Sequence, residues 1–99
     1  MLRAIDHYID GSTFSSGTRE ADVFDPNQGA VQAKVRLGSA ADLQKAIDAA
    51  NAALPGWAAT NPQRRARVMF NFKALVEANM DSLAELLSSE HGKVIADAK

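Results

Sequence analysis

Residues 23–37 read VFDPNQGAVQAKVRL, two short apolar runs on either side of a turn. Val23 and Phe24 are strand formers, and Pro26, with no N–H to give a ladder, stops their strand. Asn27-Gln28-Gly29 supplies the turn. Beyond it Val31, Ala33, Val35 and Leu37 alternate with Gln32, Lys34 and Arg36, the period-2 pattern of a half-buried strand. The stretch predicts an antiparallel hairpin.

Toward the amino terminus, HYID (7–10) reads as a further short strand and GSTFSSG (11–17) as turn-rich chain. Toward the carboxyl terminus the period changes to that of helices. Ser39 with Asp42 three residues on is a weak capping box, and Leu43, Ile47, Ala50 and Leu54 recur on one helix face. Pro55-Gly56 is expected to end that helix, with Trp57 folding back on it. Asn61 as N-cap and Pro62 at the first helical position start the next, whose stripe is Val68, Phe72, Leu75 and Val76. Asn79 and Asp81 interrupt the pattern. Ser82 with Glu85 is expected to cap a third helix, with Leu83, Leu86 and Leu87 facing inward and Gly92 closing it. Val94 to Lys99 reads as the next helix beginning.

The expected fold is therefore α+β: short antiparallel hairpin strands in residues 1–38, then three amphipathic helices in 39–99. A two-stranded hairpin is too small to cover three apolar stripes. Partner surface is expected, either from the rest of a longer chain or from another copy in a homo-oligomer.

Of the 99 residues 46% are apolar and 23% charged, an ordinary globular balance. Net charge is −1 and spread over both halves, so neither nucleic acid nor a membrane surface is an expected partner. The absence of cysteine excludes disulfides, a cysteine-ligated zinc and a cysteine nucleophile within these residues. No apolar run approaches the roughly 18 residues of a membrane span, and MLRAIDHYID has no signal-peptide core, so cytoplasm is the expected location.

Glu90-His91-Gly92-Lys93 gathers an acid, an imidazole and an amine at a helix end. It reads either as acid–base or phosphate-gripping chemistry or, more simply, as a helix C-cap with basic groups at the negative end of the dipole. Arg64, Arg65 and Arg67 crowd a helix start, where positive charge opposes the dipole, and so call for carboxylate or phosphate partners. An ion-pair network or solvated face is the simpler reading. His7 and His91 are too far apart in sequence for a local metal pattern, and His7 is expected on the surface. The glycines form neither GxGxxG nor GxxxxGK. Met69, Phe70, Phe72 and Trp57 read as core. The residues alone identify no active site.

In order, HYIDGSTF, VFDPNQGAVQAKV and the helix series from SAADLQ to EHGK resemble the amino-terminal segment of an aldehyde dehydrogenase. Asp10 stands where that family usually has Asn, and Asp25 replaces the Asn of its Asn-Pro-x-x-Gly turn. The likeness is greatest to the coenzyme A-acylating branch acting on methylmalonate semialdehyde; succinate-semialdehyde and betaine-aldehyde branches share the skeleton. The resemblance implies a chain that runs on into a nicotinamide-binding sheet, a cysteine-bearing catalytic domain and an oligomerisation ribbon, using NAD and coenzyme A. It implies that these 99 residues are the front of an α/β NAD-binding domain, hold no catalytic or cofactor-binding residue, and are inactive alone. It also implies an alkali-cation role for the backbone oxygens of Val23 and Phe24 and the carboxylate of Glu90. The opposing expectation is a non-enzymatic interaction module that oligomerises through its helix stripes.

Overall fold

The computed structural model describes all residues, Met1–Lys99, as five strands followed by four helices. Strands β1 (Arg3–Ile5), β2 (His7–Ile9), β3 (Ser12–Phe14), β4 (Glu20–Asp25) and β5 (Ala30–Arg36) precede α1 (Ala40–Ala59), α2 (Pro62–Ala78), α3 (Met80–His91) and α4 (Ile95–Ala98). The chain divides into two compact units, Met1–Phe24 with Val31–Gly56, and Asp25–Ala30 with Trp57–Lys99.

In the first unit β5 is the central strand of a three-stranded sheet ordered β1-β5-β4. Its neighbours impose two directions. Lys34 pairs with Asp22, Arg36 Nη1 lies 3.1 Å from Glu20 Oε2, and the Gln32 amide reaches the Phe24 carbonyl. Partner numbers rise on one strand as they fall on the other, so β4 and β5 are antiparallel, as the hairpin reading requires. On its other edge β5 takes β1 in parallel, Arg3 opposite Ala33 and Ile5 opposite Val35. Central placement leaves Ala33 with no exposed surface. A separate antiparallel ladder joins β2 to β3, His7 opposite Phe14 and Ile9 opposite Ser12. Asp10 and Gly11 turn it with φ of 53° and 76°, the positive pair that a two-residue hairpin loop demands.

Strands β1 and β3 are additions to the sequence expectation. Three-residue strands carry too little periodicity to be read, and β1 exists only through a partner far along the chain. Helix α1 also departs from expectation by running through Pro55-Gly56 to Ala59, with Trp57 inside it. Proline already has helical φ, but inside the helix it withholds one N–H and crowds the carbonyl four residues back, a cost that α1 carries here without stopping. The break comes at Thr60, whose N–H closes onto the Trp57 carbonyl at 3.1 Å.

In the second unit the turn chemistry is as read. Asp25 accepts from the Asn27 N–H at 2.8 Å through its carboxylate and from the Gly29 N–H at 2.7 Å through its carbonyl. Asn61 caps α2, accepting from the Arg64 N–H at 2.9 Å, with Pro62 at the first helical position. Asn79 alone joins α2 to α3. Its N–H and side-chain amide both reach the Leu75 carbonyl, at 3.1 and 2.8 Å. Ser82 is therefore not the cap of α3: it lies inside the helix and donates to the Asn79 carbonyl at 3.1 Å. Nor do Leu83, Leu86 and Leu87 face inward. They are exposed, and Ala84 is the buried residue of α3. Trp57, Met69, Phe70 and Phe72, which read as core, are exposed as well, because these 99 residues supply no surface opposite them.

Gly92 ends α3 with φ 86°, its N–H on the Ser88 carbonyl at 2.8 Å. The Asn27 side chain donates to the same Ser88 carbonyl at 3.0 Å, so the hairpin turn helps satisfy the last turn of α3. A Cβ at Gly92 would meet Pro26 Cγ at 3.2 Å. Gly92→Ala thus incurs left-handed strain of about 1–2 kcal/mol and a crowded contact together. Thermal unfolding followed by circular dichroism should show a lower midpoint with helix content retained; an unchanged midpoint would contradict this account of the corner.

Candidate functional site

The one densely built polar cluster lies in the first unit, around Asp42. Ser39 and Asp42 form the capping box in both directions. The Asp42 N–H donates to Ser39 Oγ at 3.1 Å, and the Ser39 N–H donates to Asp42 Oδ2 at 2.9 Å. Helix entry thus turns the Asp42 carboxylate back toward the strands, where it is only 4% exposed. There the Ser16 hydroxyl, from the loop after β3, donates to Oδ1. His7 Nε2, from β2, stands 3.7 Å from Oδ2. The sequence reading placed His7 on the surface. The structure makes it half-buried beside a carboxylate, because the β2–β3 ladder is folded against the start of α1.

Two further contacts hold this arrangement. Arg19 Nη2 donates to the Gly38 carbonyl at 2.7 Å, fixing the loop before β4 to the residues entering α1. Lys45 Nζ lies 3.5 Å from the centroid of the Phe14 ring, a cation–π contact between α1 and β3. The face of α1 that packs is accordingly Asp42, Ala46 and Ala49, while Leu43, Ile47 and Leu54 stay exposed. A cleft of about 610 Å³ opens beside the cluster, lined by His7, Tyr8 and Ile9 on one side and Gly38 to Ala40, Asp42, Leu43 and Ala46 on the other.

Chemically the cluster is a carboxylate with its acceptors occupied. Hydrogen bonds from Ser16 first, then from Ser39, together with the nearby His7, hold the Asp42 carboxyl below the ordinary value of 3.8. The Ser16 proton is directed at that carboxylate rather than at the imidazole, so Ser16 and His7 do not form a nucleophile–base pair. Placement of β2 and of the α1 entry is what the group accomplishes.

The other sequence candidates fall elsewhere. Val23 and Phe24 lie on β4, the Phe24 carbonyl accepting weakly from Gln32 Nε2 at 3.4 Å. Glu90 and His91 form the end of α3, and Lys93 follows the αL cap at Gly92, so the cap reading accounts for that motif. Arg64, Arg65 and Arg67 occupy the first two turns of α2. No group of three or more His, Asp or Glu side chains is gathered to hold a metal. No helix is long and apolar enough to cross a membrane. The Asp42 cluster itself was legible only as a helix cap. Nothing local marks Ser16 or His7 as its partners.

The chain belongs to the aldehyde dehydrogenase family, whose sequence profile matches residues 13–99. Among its relatives, a malonate-semialdehyde dehydrogenase of Pseudomonas aeruginosa is 46% identical over 97 residues, covering 98% of this chain and 20% of that protein. A Dictyostelium discoideum protein assigned as an acylating, mitochondrial methylmalonate-/malonate-semialdehyde dehydrogenase is 33% identical over 93 residues, 18% of its length. Among solved structures, a Sinorhizobium meliloti protein assigned as a methylmalonate-semialdehyde dehydrogenase, complexed with NAD, superposes with a TM-score of 0.96 at 50% identity, over 99% of this chain and 20% of that one. The fold is that of the amino-terminal part of these structures, and the chain spans about a fifth of their length.

Because the folded Asp42 carboxyl is shifted down, its contribution to stability is complete above the ordinary carboxylate value and is lost as pH falls through the lowered one. Acid titration of the circular dichroism signal should therefore show a loss of helix below about pH 4 that Asp42→Asn reduces, the variant being less stable than wild type at neutral pH. Identical acid limbs for the two proteins would show that the carboxylate does not hold the α1 entry.

Proposed function

We propose that this chain serves as the amino-terminal segment of an NAD-dependent dehydrogenase acting on malonate or methylmalonate semialdehyde, in the acylating branch. The overall reaction takes semialdehyde, coenzyme A and NAD to acyl-coenzyme A and NADH, with loss of carbon dioxide. The observation carrying this reading is the end-to-end match with semialdehyde dehydrogenases in both sequence and fold. NAD would accept the hydride and coenzyme A the acyl group. In this reading both groups, and the cysteine nucleophile that these residues lack, belong to the rest of the enzyme. No step of the reaction is therefore assigned to this chain's residues, and these residues alone are inactive.

What the segment contributes is scaffold. Its exposed helix stripes are suited to cover, and be covered by, the remainder of the enzyme or another copy in an oligomer, in the cytoplasm. Within the same reading the carbonyls of Val23 and Phe24 and the carboxylate of Glu90 would donate oxygens to an alkali cation. Three oxygens fall short of the roughly six or more a hard cation takes, so the rest must come from elsewhere. Succinate-semialdehyde and betaine-aldehyde oxidation are the neighbouring readings within the family; the relatives' assignments favour malonate and methylmalonate semialdehyde.

A graft tests this. Replacing the corresponding first fifth of the Pseudomonas aeruginosa relative with this chain should leave malonate-semialdehyde turnover within about tenfold, a cost of at most about 1.4 kcal/mol in barrier. The purified 99-residue chain should form no NADH with semialdehyde, NAD and coenzyme A. A folded but inactive graft would overturn the scaffold reading, and turnover by the isolated chain would overturn its inactivity.

A further inference from the structure

The turn between β2 and β3 carries a reactive pair of residues. Among the aspartates of this chain only Asp10 is followed by glycine, and no asparagine is. Asp10 is also the one residue other than glycine with a positive φ, 53°, and Gly11 follows it at 76°. Both are exposed, and a Cβ built on Gly11 would meet nothing within 4 Å. Neither the Asp10 carboxylate nor the Gly11 N–H is engaged in a hydrogen bond, and the carboxylate has no ion pair. A free carboxyl, an unengaged amide nitrogen and no side chain to shield that nitrogen are the conditions under which a backbone amide attacks the side chain before it.

We propose that Asp10-Gly11 is a self-modification site, at which the aspartate converts to isoaspartate through a cyclic imide. The Gly11 nitrogen bonds to Asp10 Cγ, and the amide proton leaves with a carboxyl hydroxyl as water, closing a succinimide ring. Water then adds to either imide carbonyl. Opening at Cγ restores aspartate. Opening at the main-chain carbonyl leaves the backbone running through Cβ and Cγ, with the α-carboxylate free. The water released is the water taken up, so mass is unchanged and no other reactant is needed. Ring closure requires Asp10 to leave its turn conformation. A two-stranded ladder closed by a side-chain-bearing residue at positive φ is marginal and opens locally.

The product cannot rebuild the turn. Isoaspartate adds a methylene to the backbone between Ile9 and Ser12, the pair that the two-residue loop holds in register. The strands it joins carry the anchors. His7 Nε2 stands 3.7 Å from Asp42 Oδ2, and Phe14, opposite His7, has Lys45 Nζ 3.5 Å from its ring centroid. Conversion at one exposed residue thus loosens both strands from the α1 entry without touching the buried carboxylate. The other aspartates lack the combination. Asp25 precedes Pro26, which has no N–H, and Asp42, Asp48 and Asp81 lie in helices before residues that bear side chains. The proposal rests on the turn alone and stands whether or not the graft described above turns over.

Ageing the purified chain for weeks at neutral pH and physiological temperature tests it. Peptide mapping that separates isoaspartyl from aspartyl peptides, with labelling by a protein isoaspartate carboxyl methyltransferase, reads the product. Isoaspartate should accumulate at position 10 ahead of every other aspartate, preceded by a succinimide form one water lighter. The converted chain should melt several degrees lower than the fresh one. Asp10→Asn should convert faster, with ammonia leaving in place of water. Asp10→Gly, which keeps the positive φ without strain, should neither convert nor lose its midpoint. Unaltered Asp10 after ageing, isoaspartate spread evenly over the aspartates, or an equal loss of midpoint in D10G would each overturn the site. A converted chain with an unchanged midpoint would overturn the release of the strands.

Discussion

A single buried carboxylate, Asp42, organises the first half of this structure. Burying a charged group is unfavourable unless its oxygens are satisfied, and each partner that satisfies Asp42 comes from a different place in the chain: Ser16 after β3, Ser39 at the helix entry, His7 on β2. The two-stranded β2–β3 ladder would be marginal on its own. It persists because both of its strands are tied to the start of α1, β2 by His7 and β3 by Phe14 beneath Lys45. The helix cap and the tertiary fold are here one set of bonds, so disturbing the cap releases the strands.

Around that anchor the packing is unusual in what it buries. The fully covered apolar residues are two alanines, Ala33 and Ala84, while leucines, phenylalanines and the tryptophan are exposed on every long helix. Small side chains permit close approach of backbones but remove little apolar area from water. The geometry of the units therefore rests on hydrogen-bonded corners and capped helices more than on a core. This is the distribution expected of a segment whose large side chains are matched by surface outside its own 99 residues, in keeping with a chain that spans a fifth of its relatives.

What could be read from the sequence divides along the same line. The Asp25–Gly29 turn, the Ser39/Asp42 box, the Asn61-Pro62 start and the Gly92 stop are each decided within four residues, and each is present. The passage of α1 through Pro55 was not legible, because Pro-Gly locally reads as a helix stop, and the helix continues for four more residues in spite of the proline's cost. Asn79 rather than Ser82 opens α3 since two amide groups of one residue close α2 there, a coincidence of geometry. The burial of Ala84 instead of its leucine neighbours depends on which face other segments happen to supply. Family membership was readable from the order of several weak motifs. The Asp42 cluster was not, because His7 and Ser16 reach the α1 entry only by folding and no local pattern connects them to it.

The parallel pairing of β1 with β5 sets a sequence of events as well as a shape. Arg3 finds its register partner at Ala33, thirty positions later. A chain emerging from its amino end therefore presents its first strand before the edge that receives it exists. The pairing of β1 with β5 is thus the longest-range contact of the three-stranded sheet, and the central strand is shared between a neighbour close in sequence and one thirty positions away.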